Sequence, residues 1–145
     1  MLTVVEKVML FQSVDLLAHV PTESLALIAS LTEEVEHDAG SAIYSEGDPA
    51  DSMYVVLDGE VRVHRSGVTV THVREHEAFG TWALFDDEPR VLGASAIGDV
   101  RLLRLHRDDF MELLADNVEV TGAILKSIVR RLRLVAERVG LATGG

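Results

Sequence analysis

A chain of 145 residues, 48% apolar and 26% charged, has the size and composition of one globular domain, which excludes disordered and fibrous classes. Without cysteine, disulfides, thiolate zinc sites and cysteine nucleophiles are excluded together, and the longest stretch free of formal charge, Ser24 to Thr32, is far too short to span a membrane. The net charge of −11 is uneven: residues 1–60 hold one base, Lys7, against 12 acids, which argues against nucleic-acid binding there, while residues 61–145 balance 12 against 12.

Glu6 and Lys7 interrupt the first apolar run, so it is a poor signal peptide, and a cytoplasmic location is expected. Apolar residues at 4, 5, 8, 9, 11 and 14 have helical spacing, predicting a helix over Val4 to Val14. A second helix is expected from Thr22 as its cap, with Pro21 just outside and Leu25, Leu27, Ile28 and Leu31 on its apolar face. After Thr32 the period shortens. Short apolar runs containing Val35, Ile43, Tyr44, Met53 to Leu57, Val61, Val63, Val68, Val70 and Val73 are separated by Gly40, Gly47, Gly59 and Gly67. Such strands at spacings near ten residues predict an antiparallel barrel or sandwich, and Ser66-Gly67 predicts a hairpin turn.

Phe79 to Glu88 breaks the strand pattern, leaving room for a single helical turn over Trp82 to Phe85. Strands are expected again over Val91 to Ile97 and Val100 to Leu105. Asp108 or Asp109 is the expected cap of a short helix through Leu114, and Asp116-Asn117 opens a longer one to about Val139. On it Ile124, Ile128, Leu132, Val135 and Val139 form one stripe, while Arg130, Arg131 and Arg133 read as a solvated face. Ala142 to Gly145 should fray. The expected fold class is α+β: one domain over residues 1–145, with helices over about 3–32, a jelly-roll-like barrel over about 33–107, and helices over about 108–139.

The run Ala39-Gly40-Ser41-Ala42-Ile43, then Glu46-Gly47-Asp48, then Asp51 to Val63, resembles the first barrel half of the cyclic nucleotide-binding domain. This family is shared by catabolite-activator-type regulators, protein kinase A regulatory subunits and cyclic nucleotide-gated channels. Phe79-Gly80-Thr81-Trp82-Ala83-Leu84, continuing through Pro89-Arg90, resembles its phosphate-binding cassette. The likeness runs from about Leu10 to Val139 and implies a double-stranded β-helix with flanking helices. It implies that Gly80 and Arg90 contact the cyclic phosphate, and that Phe79, Thr81, Trp82, Ala83, Val91 and Leu92 complete the site. It also implies that ligand entry repositions the helix from Asp116 to Val139, and that this helix is a candidate for homodimerisation.

Independently of the likeness, a helical turn opening after a glycine offers free N–H groups and a positive dipole end to a singly charged phosphodiester. Gly80 permits close backbone approach, and Arg90 can offer two parallel donors to phosphate oxygens. The alternative, still open from spacing alone, is that Gly80 only permits a turn and Arg90 pairs with Asp86, Asp87 or Glu88. Thr81 stands where the family's binding members place a glutamate that accepts from the ribose 2′-hydroxyl. Hydrogen bonds to charged groups contribute about 1.5–3 kcal/mol, so a loss of one or two orders of magnitude in affinity is expected. Trp82 can stack on a base or plug the cavity, while Val91 and Leu92 replace two small residues and can crowd the phosphate.

A regulatory domain that binds cAMP or cGMP weakly, or holds another small anion, is the expected function. The alternative is a degenerate barrel serving as an interaction or dimerisation module. Enzyme readings are thin. Gly93-Ala94-Ser95-Ala96-Ile97-Gly98 misses a nucleophile elbow by one residue, and His106-Arg107-Asp108 lacks the kinase loop's Asn, with Leu113 in its place. His72, Glu75, His76 and Glu77 read as a turn more readily than as a metal site, and Asp86-Asp87-Glu88 lacks the alternating ligands of a calcium loop. Neither a metal, nor membrane insertion, nor direct nucleic-acid binding is expected, the last because no helix-turn-helix follows the final helix within the chain.

Overall fold

A computed structural model describes residues 1–140, and the fraying expected of Ala142–Gly145 lies outside them. The chain divides into two compact units, one of Ser30–Glu112 with Met1, the other of Leu2–Ala29 with the chain from Leu113.

The first unit is a six-stranded antiparallel sheet rolled into the expected jelly-roll-like barrel. Its strands are β1 (Glu33–His37), β2 (Ala42–Tyr44), β3 (Ser52–Arg65), β4 (Val68–Val73), β5 (Ala78–Phe79) and β6 (Gly93–His106). They run in the order β1-β6-β3-β4, with β2 also on β6 and β5 also on β3. Ser52 to Val56 are all buried, as a central strand covered on both faces requires. Farther along the strand Val61 and Val63 alternate inward to meet Val73, Ala94, Ala96, Val100 and Leu102 in one core.

Two long strands replace four expected short ones. Gly59 reads as a turn signal, and the strands are expected to break between Ile97 and Val100, yet β3 and β6 each run 14 residues through Gly59 and Gly98. The register slips between Asp58 and Glu60, so the glycine makes a bulge that bends the strand without ending it. Gly59 sits at φ +95, and a Cβ there would meet the Asp99 carbonyl oxygen at 2.7 Å. β6 also opens at Gly93 and not at Val91, because Val91 and Leu92 are still in the bend that carries Arg90. Ser66-Gly67 is the hairpin expected: both residues have positive φ, Arg65 faces Val68, and the Ser66 N–H donates to Glu46 Oε2 at 2.9 Å.

The second unit is helical. α1 (Val4–Gln12) opens on a capping box in which Thr3 and Glu6 exchange side-chain and backbone bonds. These bonds hold the Glu6 carboxyl below its ordinary value. α1 buries Val8 and Phe11 but leaves Val4, Val5 and Met9 exposed, so only part of its expected face is core. α2 (Thr22–Ala29) includes Thr22, and the Pro21 carbonyl accepts from Leu25, so proline and not threonine holds the cap position. It buries Leu25 and Ile28 and exposes Leu27.

α3 (Arg107–Asp116) begins two residues earlier than a cap at Asp108 implies, which makes Asp108 and Asp109 first-turn residues, favourable there, and not caps. α4 (Val118–Arg138) is capped by the Asn117 side chain accepting from Val120. Within this unit the Ser127 hydroxyl donates to the Leu16 carbonyl, and Arg131 pairs with Asp15 at 3.4 Å. Of the expected α4 stripe, Ile124 is buried and Ile128 half-buried, whereas Leu132, Val135 and Val139 are exposed. No helix among the described residues is long and apolar enough to cross a membrane.

Candidate functional site

The site residues foreseen from Phe79 to Leu92 lie in the barrel unit, on β5, a 3-10 turn (Thr81–Leu84) and the bend before β6. Arg90 is fastened by its backbone first. Its N–H donates to the Asp48 carbonyl at 2.8 Å, and its carbonyl accepts from Gly47 at 2.8 Å. The side chain is then only 8% exposed. Nη2 donates to the Ser52 carbonyl at 2.7 Å, and Cζ lies 3.9 Å from the centroid of the Tyr44 ring. Nη1 faces Gly80 so closely that a Cβ on residue 80 would be 2.8 Å from it.

One donor and the charge remain unanswered. Nε has no hydrogen-bond partner among the described residues, and none of the ion pairs among them includes Arg90. Pairing with the neighbouring acids does not occur: Asp86 Oδ1 accepts from the Glu88 N–H at 3.2 Å, and the Asp86 carbonyl accepts from Arg107 at 3.0 Å. Desolvating a cation costs several kcal/mol unless an anion compensates it. The chemistry this arrangement suits is uptake of a small anion.

Gly80 faces that cation with φ +72, in the left-handed region where glycine is at ease. The 3-10 turn closes with Ala83 donating to the Gly80 carbonyl at 3.1 Å. Ala83 and Leu84 are buried, and Phe79 stacks on Tyr54 with centroids 5.1 Å apart, so these three hold the turn on the core. Thr81 is half-buried. Trp82 is 81% exposed, which rules out the plug. Val91, 62% exposed, points its bulk to solvent, and Leu92 packs against the barrel core, so the crowding expected of the pair does not arise from Val91.

Tyr44 and Ser52 belong to this constellation and were not foreseen as site residues. Burial pushes the Tyr44 phenol above its ordinary value, with the Arg90 charge pulling it partly back. Tyr54 is raised by burial too, against Arg104 and Arg90. Ser52 is fully buried, and its Oγ accepts from Arg104 Nε at 3.0 Å. That oxygen is also 3.1 Å from Asp51 Oδ1 and 3.4 Å from His106 Nδ1, whose Nε2 is 2.9 Å from Glu33 Oε1. No spacing rule marks either residue. Ser52 adjoins the Met53–Val56 run, and only the pairing of Ser52 with His106 shows what it ties together.

The motifs set aside earlier have structural employment. Arg107 donates to the Ala50 and Asp86 carbonyls, and His72 pairs with Glu60 at 2.8 Å. Glu77 accepts from the Arg74 N–H at 2.8 Å. Among the described residues no three His, Asp or Glu side chains are grouped to hold a metal ion.

The family described as "Cyclic nucleotide-binding domain" matches residues 34–117. A "CRP-like cAMP-activated global transcriptional regulator" of Mycobacterium tuberculosis is 31% identical over 114 residues, 73% of this chain and 51% of the relative. A "cAMP-dependent protein kinase regulatory subunit" of Aspergillus niger is 36% identical over 105 residues, 71% of this chain and 26% of the relative. This chain therefore covers about half of the first relative and a quarter of the second. Among solved structures, the N-terminal domain of a transcriptional regulator from Streptomyces coelicolor superposes with a TM-score of 0.83 at 31% identity. That match covers 93% of this chain and 99% of the other.

Proposed function

This chain belongs to the cyclic nucleotide-binding domain family, and from that premise we propose that it is a cytoplasmic regulatory domain sensing cAMP or cGMP at the seat between Gly80 and Arg90. One observation carries the reading: Arg90 is 8% exposed, held by Ser52 and Tyr44 against Gly80, without an anionic partner among the described residues. A cyclic phosphodiester supplies one negative charge and acceptor oxygens, the complement of what Arg90 lacks. Gly80 leaves room for its approach.

The ribose is held less firmly than the phosphate. Thr81 offers a short neutral hydroxyl where a carboxylate could accept from the 2′-hydroxyl, a difference of about 1.5–3 kcal/mol. Binding is therefore weak, and the ligand acts by favouring one arrangement of the helices that follow the barrel. The domain's own task is recognition, not catalysis. Calorimetric titration of the purified chain with cAMP and with cGMP tests this. Saturable heat with either is expected, and no heat from both at millimolar concentration overturns it.

A second reading is favoured by α4, along which Leu125, Val129, Leu132, Val135 and Val139 are exposed, Leu132 to 64%. An apolar face of this kind fits a second copy of the chain, giving a homodimer through α4. Sedimentation at rising concentration is expected to show monomer passing to dimer. Monomer throughout removes this reading and leaves the ligand claim intact.

A further inference from the structure

We infer that Tyr44, on β2 and outside the 79–92 segment, is the positioning residue that fixes the Arg90 guanidinium against Gly80, so that anion affinity depends on its aromatic ring. The inference rests on reading the seat as an anion site. Its starting point is the way Arg90 is held. A guanidinium attached by one hydrogen bond, here Nη2 to the Ser52 carbonyl at 2.7 Å, can still pivot about it. The Tyr44 ring, 3.9 Å from Cζ, supplies the missing constraint, a flat electron-rich face under the cation. The third side is Gly80, where the ideal Cβ position is 2.8 Å from Nη1 and 3.5 Å from the Tyr44 hydroxyl oxygen. Peptide carbonyl, ring and glycine thus enclose the group, with Nε buried and unpartnered.

The ring is itself anchored. Its centroid is 6.2 Å from that of Tyr54 and 6.1 Å from that of Phe79, the pair stacked beneath the 3-10 turn. Tyr44 faces Ala94 across the sheet, at the start of β6, where a small side chain leaves space for the rings. The charged and titratable groups felt by the phenol are Arg90 and Tyr54, which act on it in opposite directions. A ring pinned by two others does not follow Arg90 if Arg90 swings away. Arg90 therefore gains the contact only in the orientation that faces Gly80.

The test uses four substitutions and two readouts. With cAMP as probe, Tyr44→Leu is expected to weaken binding about tenfold, as loss of a largely desolvated cation–π contact implies. Tyr44→Phe, which keeps the ring, should restore it. In an Arg90→Met background, where there is no cation to orient, the same two changes should leave the residual affinity alike. If Tyr44→Leu binds as the parent chain does, the inference is overturned. The second readout needs no ligand. The chain has two tyrosines, so in a Tyr54→Phe background tyrosinate absorbance follows Tyr44 alone. Arg90→Met should move that titration to higher pH; an unmoved titration means the guanidinium does not rest on the ring, and overturns the inference even where cAMP proves not to bind. A parent chain that gives no heat with cAMP but shows the shift removes the ligand reading and keeps the Tyr44–Arg90 placement.

Discussion

Arg90 and Arg104 both converge on Ser52, yet the barrel treats them in opposite ways. Arg90 takes the Ser52 carbonyl, lies 3.9 Å over Tyr44 and has no carboxylate within ion-pair distance among the described residues. Arg104 takes the Ser52 hydroxyl, lies 5.9 Å over Tyr54, and has Glu33 at 3.9 Å and Asp51 at 3.7 Å. Two arginines on neighbouring aromatic rings thus differ most in the supply of negative charge. A cation already compensated has little to gain from a ligand, whereas a desolvated one without a counter-charge gains most of what an anion can give. Residue type therefore does not by itself suit an arginine to an anion; under the proposed reading, the missing internal partner is what suits Arg90 to one.

The largest effect that can break this contrast is the pair of exchanges to methionine. Arg90→Met is expected to lower cAMP affinity about a hundredfold, the loss of a charge-assisted contact near 3 kcal/mol, without lowering the melting temperature, because the buried cation was uncompensated. Arg104→Met should leave affinity within about threefold while reducing stability by about 1 kcal/mol, through the lost bond to Ser52. Equal effects on affinity would erase the contrast. Thr81→Glu sharpens it from the other side, since it brings a carboxylate to the seat. A gain of about tenfold in calorimetric affinity is expected if it accepts from the ribose, and a loss if it neutralises Arg90 as Asp51 and Glu33 do Arg104.

A smaller effect separates backbone from charge. Gly80→Ala forces an L-residue to φ +72 with its Cβ 2.8 Å from Nη1. It should reduce stability by about 1–2 kcal/mol in denaturant unfolding and weaken ligand binding. Gly59→Ala, at φ +95 and 2.7 Å from the Asp99 carbonyl, should destabilise comparably and leave affinity unchanged. Loss of binding in both would mean that the seat is not a local structure. The smallest effect is a pH dependence. Both phenols are raised by burial, so their contribution is fully present below the ordinary phenol value of about 10 and is lost as pH rises through the raised values of the folded state. The denaturation midpoint should be level approaching that pH and fall above it. A midpoint rising there would contradict the burial of Tyr44.

Much of this could be read along the chain, and the misses have physical causes. Asn117, placed before an amphipathic run, is the α4 cap it promised to be, and Ser66-Gly67 turns the hairpin, since both depend on local backbone chemistry. Gly59 misled, because a glycine that ends a strand and one that bends it look alike until the partner strand is in register. Trp82 could stack on a base or plug the cavity as far as residue type goes; its 81% exposure, set by the direction in which a four-residue turn projects it, removes the plug.

The residues by themselves determined the α+β order, the glycine opening the cassette turn, the arginine ten positions later and the neutral hydroxyl between them, for these are matters of residue type and short-range geometry. Tertiary structure alone decided that Arg90 faces Gly80 instead of the three acids before it, and that Tyr44 and Ser52, 46 and 38 positions away in the chain, hold it there. Those contacts join segments whose distance along the chain carries no energetic signature. They exist only once β2, β3 and β6 are paired and the Gly47–Asp48 backbone has clamped Arg90.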